Sequence, residues 1–246
     1  MNIQSLIDKI ILSNIGYPAQ TFLLADRINT FVNPYSYLIL RRKPHLLKRM
    51  NGIFIDGISM CIWIKLFWGK KIARRSFDMT SVAKDLFNEL NENGKSIYFI
   101  GSKKKEIEQA IEVINQSYPN LNISGFRDGY IKNSNEKDQF IEEVLKLRPD
   151  YLIIGMGTPK QEEFAIEVRE KGYTGIIFTC GGFLHQTAQG INYYPDWVNK
   201  YNLRGFYRQY KEKGIIKRNY DTFILFPLIF LYDTLITKIS KNKNGC

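Results

Sequence analysis

Histidine is scarce in this chain of 246 residues: His45 and His185 are the two it has. Cysteine is nearly as rare, with Cys61, Cys180 and Cys246. Zinc needs clustered imidazole and thiolate ligands at short spacings, so no metal centre is expected. Three scattered cysteines make no disulfide framework, which suits a reducing compartment. The dinucleotide fingerprint G-x-G-x-x-G is missing, because "GMGTPK" carries Lys160 at the third glycine position. That argues against a nicotinamide dehydrogenase, and the G-x-x-x-x-G-K-[ST] spacing of a P-loop is absent too. No apolar run reaches the roughly 20 residues that span a bilayer. The opening "MNIQSLIDKIILSNIG" lacks a basic leader and a small-residue cleavage site. It reads as a short amphipathic helix and not as a signal peptide.

Positive charge is plentiful. The formal net charge is +11, and it is unevenly placed. From Val198 to Cys246 there are ten Lys/Arg against three Asp/Glu. A basic tail implies an anionic partner: nucleic acid, anionic lipid or a phosphorylated substrate. The length suits one α/β domain with an appendage, divided as residues 1–203 and 204–246.

The middle of the chain alternates. "KSIYFIGS", "NLNISGF", "DYLIIG" and "GIIFTCGG" read as strands. Between them, "KKEIEQAIEVINQSY" places Ile107, Ile111 and Ile114 at helical spacing, and "EKDQFIEEVLKLR" does the same with Phe140, Val144 and Leu147. "KQEEFAIEVREKG" is a third helix. Strands alternating with amphipathic helices predict a Rossmann-like, mostly parallel sheet flanked by helices. Ligands bind such sheets at the carboxyl ends of the strands. Those ends here are "IGS", "GMGTPKQE" and "TCGGF", all bearing glycine, which lets backbone approach a ligand closely.

The first third is less regular. "RINTFVNP" reads as a strand ending at Asn33, and "GIFIDGIS" as a strand with Asp56 at its end. "MCIWIKLFWG" is apolar on nearly all faces, as in a buried helix or one touching lipid. Ser76 or Asp78 is placed to cap the helix that carries Val82, Leu86 and Leu90. In "GMGTPKQEEF", Thr158 suits an N-cap and Pro159 the first helical turn. Lys160 and Gln161 would then face an anion at the helix N-terminus. From this stretch alone, a well-capped surface helix explains the residues equally well.

Taken together, "FVNPYSYLI", "IDGIS", "RRSFDMTSVA", "YFIGSKKKEIEQA", "GMGTPKQEEF", "TCGGFLHQTA" and "YYPDWVNKYNLRGFYR" resemble the WecG/TagA/CpsF glycosyltransferases. The match runs in order from about Asn33 to Arg208. The resemblance implies transfer of a hexosyl group, N-acetylmannosaminyl or similar, from a nucleotide-diphosphate sugar. The acceptor would be a sugar on a polyprenyl diphosphate at the inner face of a bacterial membrane. It further implies inversion at the anomeric carbon, no metal or cofactor, and a place in teichoic acid, capsule or exopolysaccharide synthesis.

Asp56 matches the family's Asp-Gly aspartate, its proposed base, and a carboxylate can take the proton of an acceptor hydroxyl. Lys160, Gln161 and Glu162 fall in the family segment expected to hold the polar end of donor or acceptor. Without a metal, the charge developing on a diphosphate must be met by Lys, Arg, N–H groups and helix dipoles. Either Arg74 or Arg75 matches a family arginine. Asn33, Gly181, Gly182 and Gln186 are further substrate-binding candidates by the same match. The chain departs from the pattern in three places. Phe31 stands where several relatives have Thr, His185 and Gln186 replace a Phe-Asp pair, and Gly205 replaces a Trp. His185 can be read as a base, but a hydrogen-bonding loop histidine is the preferred reading.

The last segment, "RGFYRQYKEKGIIKRNYDTFILFPLIFLYDTLITKISKNK", mixes basic, aromatic and apolar residues, as in a helix lying on an anionic membrane. In the family this appendage docks on the membrane and supplies arginines to the site, and Arg204, Arg208 and Arg218 are the local candidates. Truncation after Tyr210 is expected to leave a folded core. A homo-oligomer is left open. Two other readings compete. A non-catalytic membrane scaffold on this fold would keep the tail but need not keep Asp56 and "TPKQE". A nucleic-acid binder would explain the charge, yet no RRM, KH or helix-turn-helix signature is present.

Overall fold

The fold is taken from a computed structural model that describes residues 3–15, 27–201, 203, 204, 207 and 220–244. Six strands form one sheet: β1 (Ile28–Val32), β2 (Gly52–Ile55), β3 (Ser96–Gly101), β4 (Asn122–Arg127), β5 (Tyr151–Gly155) and β6 (Ile176–Thr179). Their order is β2-β1-β6-β5-β3-β4 and every pairing is parallel. All five strands other than β4 are buried along nearly their whole length, as expected for strands covered on both faces.

Side-chain alternation divides the strands between two cores. Val32, Ile53, Ile55, Ile100, Ile154 and Ile177 face one side. Phe31, Phe54, Phe99, Ile153 and Phe178 face the other. Helices α5 (Val82–Asn93), α6 (Lys104–Ser117) and α9 (Phe183–Thr187) supply the phenylalanine-rich core. The first core takes α1 (Ile3–Ile15), α2 (Pro34–Leu40), α3 (Pro44–Arg49), α4 (Ile58–Trp68), α7 (Ser134–Leu147) and α8 (Lys160–Glu170). A short α10 (Asp196–Lys200) follows, and α11 (Phe226–Asn244) closes the chain.

The winding reverses between β1 and β6. The chain leaves β1 for β2 on one side, and it reaches β6 from β5 on the other. Loops diverge at such a point and open a crevice at the strand ends. Beside it, Asn14 on α1 stands in for a further strand: its Nδ2 donates to Ile53 O at 2.8 Å and its Oδ1 accepts from Ile55 N at 3.3 Å. The end of β2, and so Asp56, is held from both sides.

Local expectations need three corrections. Neither Ser76 nor Asp78 caps α5. Ser81 holds the cap position without a side-chain bond, and Asp78 is engaged by arginines instead. The cap position of α8 is Pro159, and the Thr158 hydroxyl turns to Glu162. The C-terminal stretch Asp221–Ser240 has a mean hydropathy of 1.6, long and apolar enough to cross a membrane by length and composition, contrary to the expectation from uninterrupted runs.

One face of this stretch packs on the rest of the fold. Phe226 and Phe230 are buried in the first core, both against the Tyr37 ring. Asp233 is fully buried and meets Arg41 through two hydrogen bonds of 2.8 and 2.6 Å, while the Tyr37 hydroxyl donates to it at 2.8 Å. Burial, followed by the neighbouring Asp233 carboxylate, pushes the Tyr37 phenol well above its usual range. A π-helical turn, Asp221–Leu225, leads into α11 just before Pro227, which has no N–H to offer the ladder. The outer face of this segment carries Phe223, Ile224, Leu228, Tyr232, Leu235 and Ile239 in the open.

Candidate active site

A cavity of about 740 Å³ lies at the carboxyl ends of β1, β2, β5 and β6, over the reversal point. Its wall includes Asn33, Asp56, Arg74, Gln161, Gly181, Gly182, Gln186 and Arg204. Eight candidates scattered over the sequence are thus brought together.

Asp56 is set by the strand that precedes it. Its N–H donates to Val32 O at 2.9 Å, extending the β1–β2 ladder by one step. Gly57 follows because the chain turns tightly against α2: a Cβ there would lie 3.1 Å from Pro34 Cδ. Opposite, Asn33 starts α2 through a capping box. Its Oδ1 accepts from Ser36 N at 3.0 Å, and its own N–H donates to Ser36 Oγ at 2.8 Å.

Arg74 and not Arg75 faces the cavity. Arg74 Nη2 is 3.1 Å from Asp56 Oδ1, 2.7 Å from Asp78 Oδ2 and 2.6 Å from Ser76 Oγ. The Arg75 guanidinium lies 5.6 Å from the Phe54 ring centre, toward the phenylalanine core. Burial disfavours the Arg74 charge, but Asp56 and Asp78 outweigh it and raise its pKa.

Asp78 is the residue that sequence reasoning missed. Its Oδ2 also receives Arg204 Nη1 at 2.7 Å, and its Oδ1 accepts from Thr80 N at 2.9 Å and Thr80 Oγ1 at 2.6 Å. Burial pushes its carboxyl up, yet Arg74 and Arg204, with the Ser76 and Thr80 hydroxyls, hold it below the usual carboxylate range. Arg204 is itself fixed by Asn199 Oδ1 at 2.8 Å and lies 5.0 Å over the Tyr194 ring. The result is a chain of alternating charge, Asp56–Arg74–Asp78–Arg204, along the wall. The one local signal for it is the four-residue spacing of Arg74 and Asp78.

The floor is polar and buried. Gln161 Oε1 accepts from Gly181 N at 3.2 Å, and its Nε2 donates to Glu162 Oε1 at 2.9 Å. Gly181 needs a positive φ of 54°, which lets the β6 loop turn under this amide. Glu162 Oε1 also accepts from Thr30 Oγ1 at 2.9 Å, and Thr30 pairs with Thr179 at 2.9 Å. Glu162 Oε2 is buried with no hydrogen-bond partner among the described residues. Burial raises the Glu162 pKa, against the opposing bonds from Gln161 and Thr30. Glu162 therefore braces Gln161 from below the lining, instead of lining the cavity as expected. Phe31, in the position where several relatives have Thr, is in the wall, and Thr30 serves the buried network beneath it.

Lys160 is exposed and is not among the lining residues. Gln186 donates to the Tyr194 hydroxyl at 3.3 Å. His185 lies on α9 and not in a loop, and its Nδ1 is 3.2 Å from Glu106 Oε1 on α6. Arg208 and Arg218, like Gly205, lie outside the described residues. Cys61 and Cys180 are buried thiols, and burial lifts the pKa of each, to about 11 for Cys61, which leaves both poor nucleophiles near neutrality. Among the described residues no group of three or more His, Cys, Asp or Glu could hold a metal ion.

Several proteins resemble this chain over shares of its length from about half to most of it. A protein of Shigella boydii, named UDP-Gal:alpha-D-GlcNAc-diphosphoundecaprenol beta-1,4-galactosyltransferase, is 39% identical over 215 residues, covering 87% of this chain and 90% of that protein. A Bacillus subtilis (strain 168) protein, named N-acetylglucosaminyldiphosphoundecaprenol N-acetyl-beta-D-mannosaminyltransferase, is 27% identical over 164 residues, covering 66% of this chain and 62% of that protein. A Staphylococcus aureus (strain NCTC 8325) protein of the same name is 28% identical over 116 residues, 47% of this chain and 44% of that protein. The model of the glycosyl transferase WecG/TagA/CpsF family matches residues 15–244, and this chain is a member of that family.

Proposed function

We propose that the protein transfers a hexosyl group from a nucleotide-diphosphate sugar to the sugar of a polyprenyl-diphosphate-linked acceptor, inverting the anomeric carbon. The observation that carries this reading is the Asp56–Arg74–Asp78–Arg204 chain in the wall of the strand-end cavity. Asp56 takes the proton of the acceptor hydroxyl as its oxygen attacks the anomeric carbon. The bond from that carbon to the donor diphosphate breaks, and its electron pair leaves with the nucleoside diphosphate. Attack from the face opposite the leaving group inverts the centre.

Arg74 and Arg204 arrive at the cavity already oriented by Asp78, so the charge developing on the diphosphate meets fixed cations. Gln161 and the Gly181–Gly182 turn fix the floor on which the polar part of a substrate rests. Lys160, on the exposed first turn of α8, adds positive potential without touching the wall. No metal is needed in this scheme, and the arginines take that part.

The protein works on the cytoplasmic face of the membrane, where nucleotide sugars are made, as a peripheral protein. The basic last fifth of the chain and the open apolar face of α11 support that placement. The test offers short-chain polyprenyl-diphosphate N-acetylglucosamine with UDP-galactose, UDP-N-acetylmannosamine and UDP-glucose in turn, and reads the product by mass spectrometry and anomeric NMR. The galactose donor comes first, because the Shigella relative named for it matches the larger share of this chain. Transfer of one hexose with an inverted centre is the expected result. Absence of transfer from any nucleotide sugar would overturn the reading.

A further inference from the structure

Helix α4 begins two residues after Asp56 and carries an apolar stripe that no other described residue covers. Ile58, Ile62 and Leu66 recur every fourth residue, so they stand one above another on a single face. They are 41%, 58% and 70% exposed, increasingly open with distance from the cavity. Met60, Cys61 and Ile64 bury the opposite face, which fixes how the helix is rotated. The stripe starts inside the site: Ile58 and Ile62 belong to the cavity wall, while Leu66 lies beyond it. Phe223, half exposed, joins the same wall from the C-terminal segment. At 1.5 Å per residue the three side chains mark an apolar path about 12 Å long, leading outward from the position of the base.

A soluble sugar-nucleotide site has no use for such a path, since exposed apolar side chains aligned with a cavity mark a binding surface. We propose that Ile58, Ile62 and Leu66 form a track for the first isoprene units of the acceptor chain as it leaves the cavity. This rests on the reading of the acceptor as a polyprenyl-diphosphate glycan. Continuity favours the acceptor's own chain over bilayer lipid as the occupant. A substrate whose hydroxyl is at Asp56 must send its lipid end out of the same opening, and α4 carries apolar side chains from the wall outward to Leu66. The half-buried Trp63 and Phe67 rings, stacked 5.3 Å apart on α4, stiffen the helix that carries the track.

The experiment measures steady-state kinetics on soluble acceptors, with neither vesicles nor micelles present. N-acetylglucosamine diphosphates bearing one isoprene unit and four isoprene units are compared with wild type, Leu66→Asn and Ile62→Asn. Both substitutions sit on an exposed helix face, and circular dichroism checks that the fold is kept. In the wild type, lengthening the chain lowers KM about tenfold, the size expected from burying a few apolar groups. Leu66→Asn loses most of that gain while its KM for the one-isoprene acceptor stays at the wild-type value, and Ile62→Asn also loses the chain-length gain. Variants that keep the full gain would overturn the track. If those variants then fail to sediment with anionic vesicles, the stripe is a bilayer contact instead. A wild type active on both acceptors with equal KM also overturns it, and leaves the proposed reaction standing. A wild type that transfers to neither acceptor defeats the reading of the acceptor, and the track falls with it.

Discussion

At the scale of single residues, Asp56 and Asp78 divide the work of one wall. Asp56→Asn keeps size and shape but removes the base, so turnover should fall about 100- to 10,000-fold. Nucleotide binding, read by calorimetry with the nucleoside diphosphate, should persist, and near-normal turnover would remove Asp56 from the base role. Asp78 shares the cavity wall with Arg74 and Arg204, each bonded to its Oδ2. Asp78→Asn and Arg204→Gln should therefore be non-additive in kcat/KM, with a coupling of about 0.5–3 kcal/mol in a double-mutant cycle. Strict additivity would mean that Asp78 does not position Arg204. Glu162 gives a different signature. Its folded pKa lies above the unfolded value of about 4.3, so the unfolded chain releases the proton first as pH rises. Stability is fully present below that value and is lost progressively as pH climbs through the raised folded pKa. Glu162→Gln keeps the accepting oxygen without the titration, and its melting temperature should decline less than the wild type's between about pH 4.3 and neutrality. Parallel melting curves for the two proteins would remove Glu162 as the source. None of these networks follows from local sequence. Asp78 and Arg204 are 126 positions apart, and Thr30 and Glu162 are 132 apart. Asp78 alone looks like a helix cap, and Arg74 looks like Arg75 until the Phe54 ring claims the second.

At the scale of elements, regular periodicity made the middle of the chain readable. β3 to β6 and the helices between them fall where alternation and the three-to-four-residue apolar spacing place them. α2 and α3 did not show, because each is too short to display a period and each simply starts at a proline. The tail showed its apolar character but not its seat. α11 has two unlike faces, one buried around Phe226, Phe230 and Asp233, the other apolar and open. Asp233→Ala would leave Arg41 and the Tyr37 hydroxyl without their acceptor, and breaking a buried pair costs about 3–5 kcal/mol. Urea denaturation should show that loss, and a change under about 1 kcal/mol would mean the anchor is solvated. Removing the chain after Tyr210 should leave the sheet, since every strand among the described residues precedes that point, but with lowered stability from the uncovered Tyr37 surface.

At the scale of the whole molecule, the basic last fifth of the sequence is also the stretch that contains the open apolar face of α11. The basic last fifth of the chain and the open face of α11 together predict binding to anionic vesicles that weakens as salt screens the charge. Co-sedimentation at rising salt, with neutral vesicles as the control, measures it, and equal binding to both would assign the attachment to apolar burial alone. The fold class was legible because a parallel sheet declares itself through repeated strand–helix alternation. The position of the site was legible in outline, because glycine-bearing strand ends in such sheets gather at one edge.

Helix α2 is seven residues long, about 10 Å from end to end. Its first turn, capped by Asn33, is part of the cavity wall, while Tyr37 and the following Arg41 grip Asp233 of α11. A rod that short does not bend, so it behaves as a lever with the cavity at one arm and the tail helix at the other. A tilt of α11 about Asp233 would therefore be expected to shift Pro34 and Ser36 in the cavity wall.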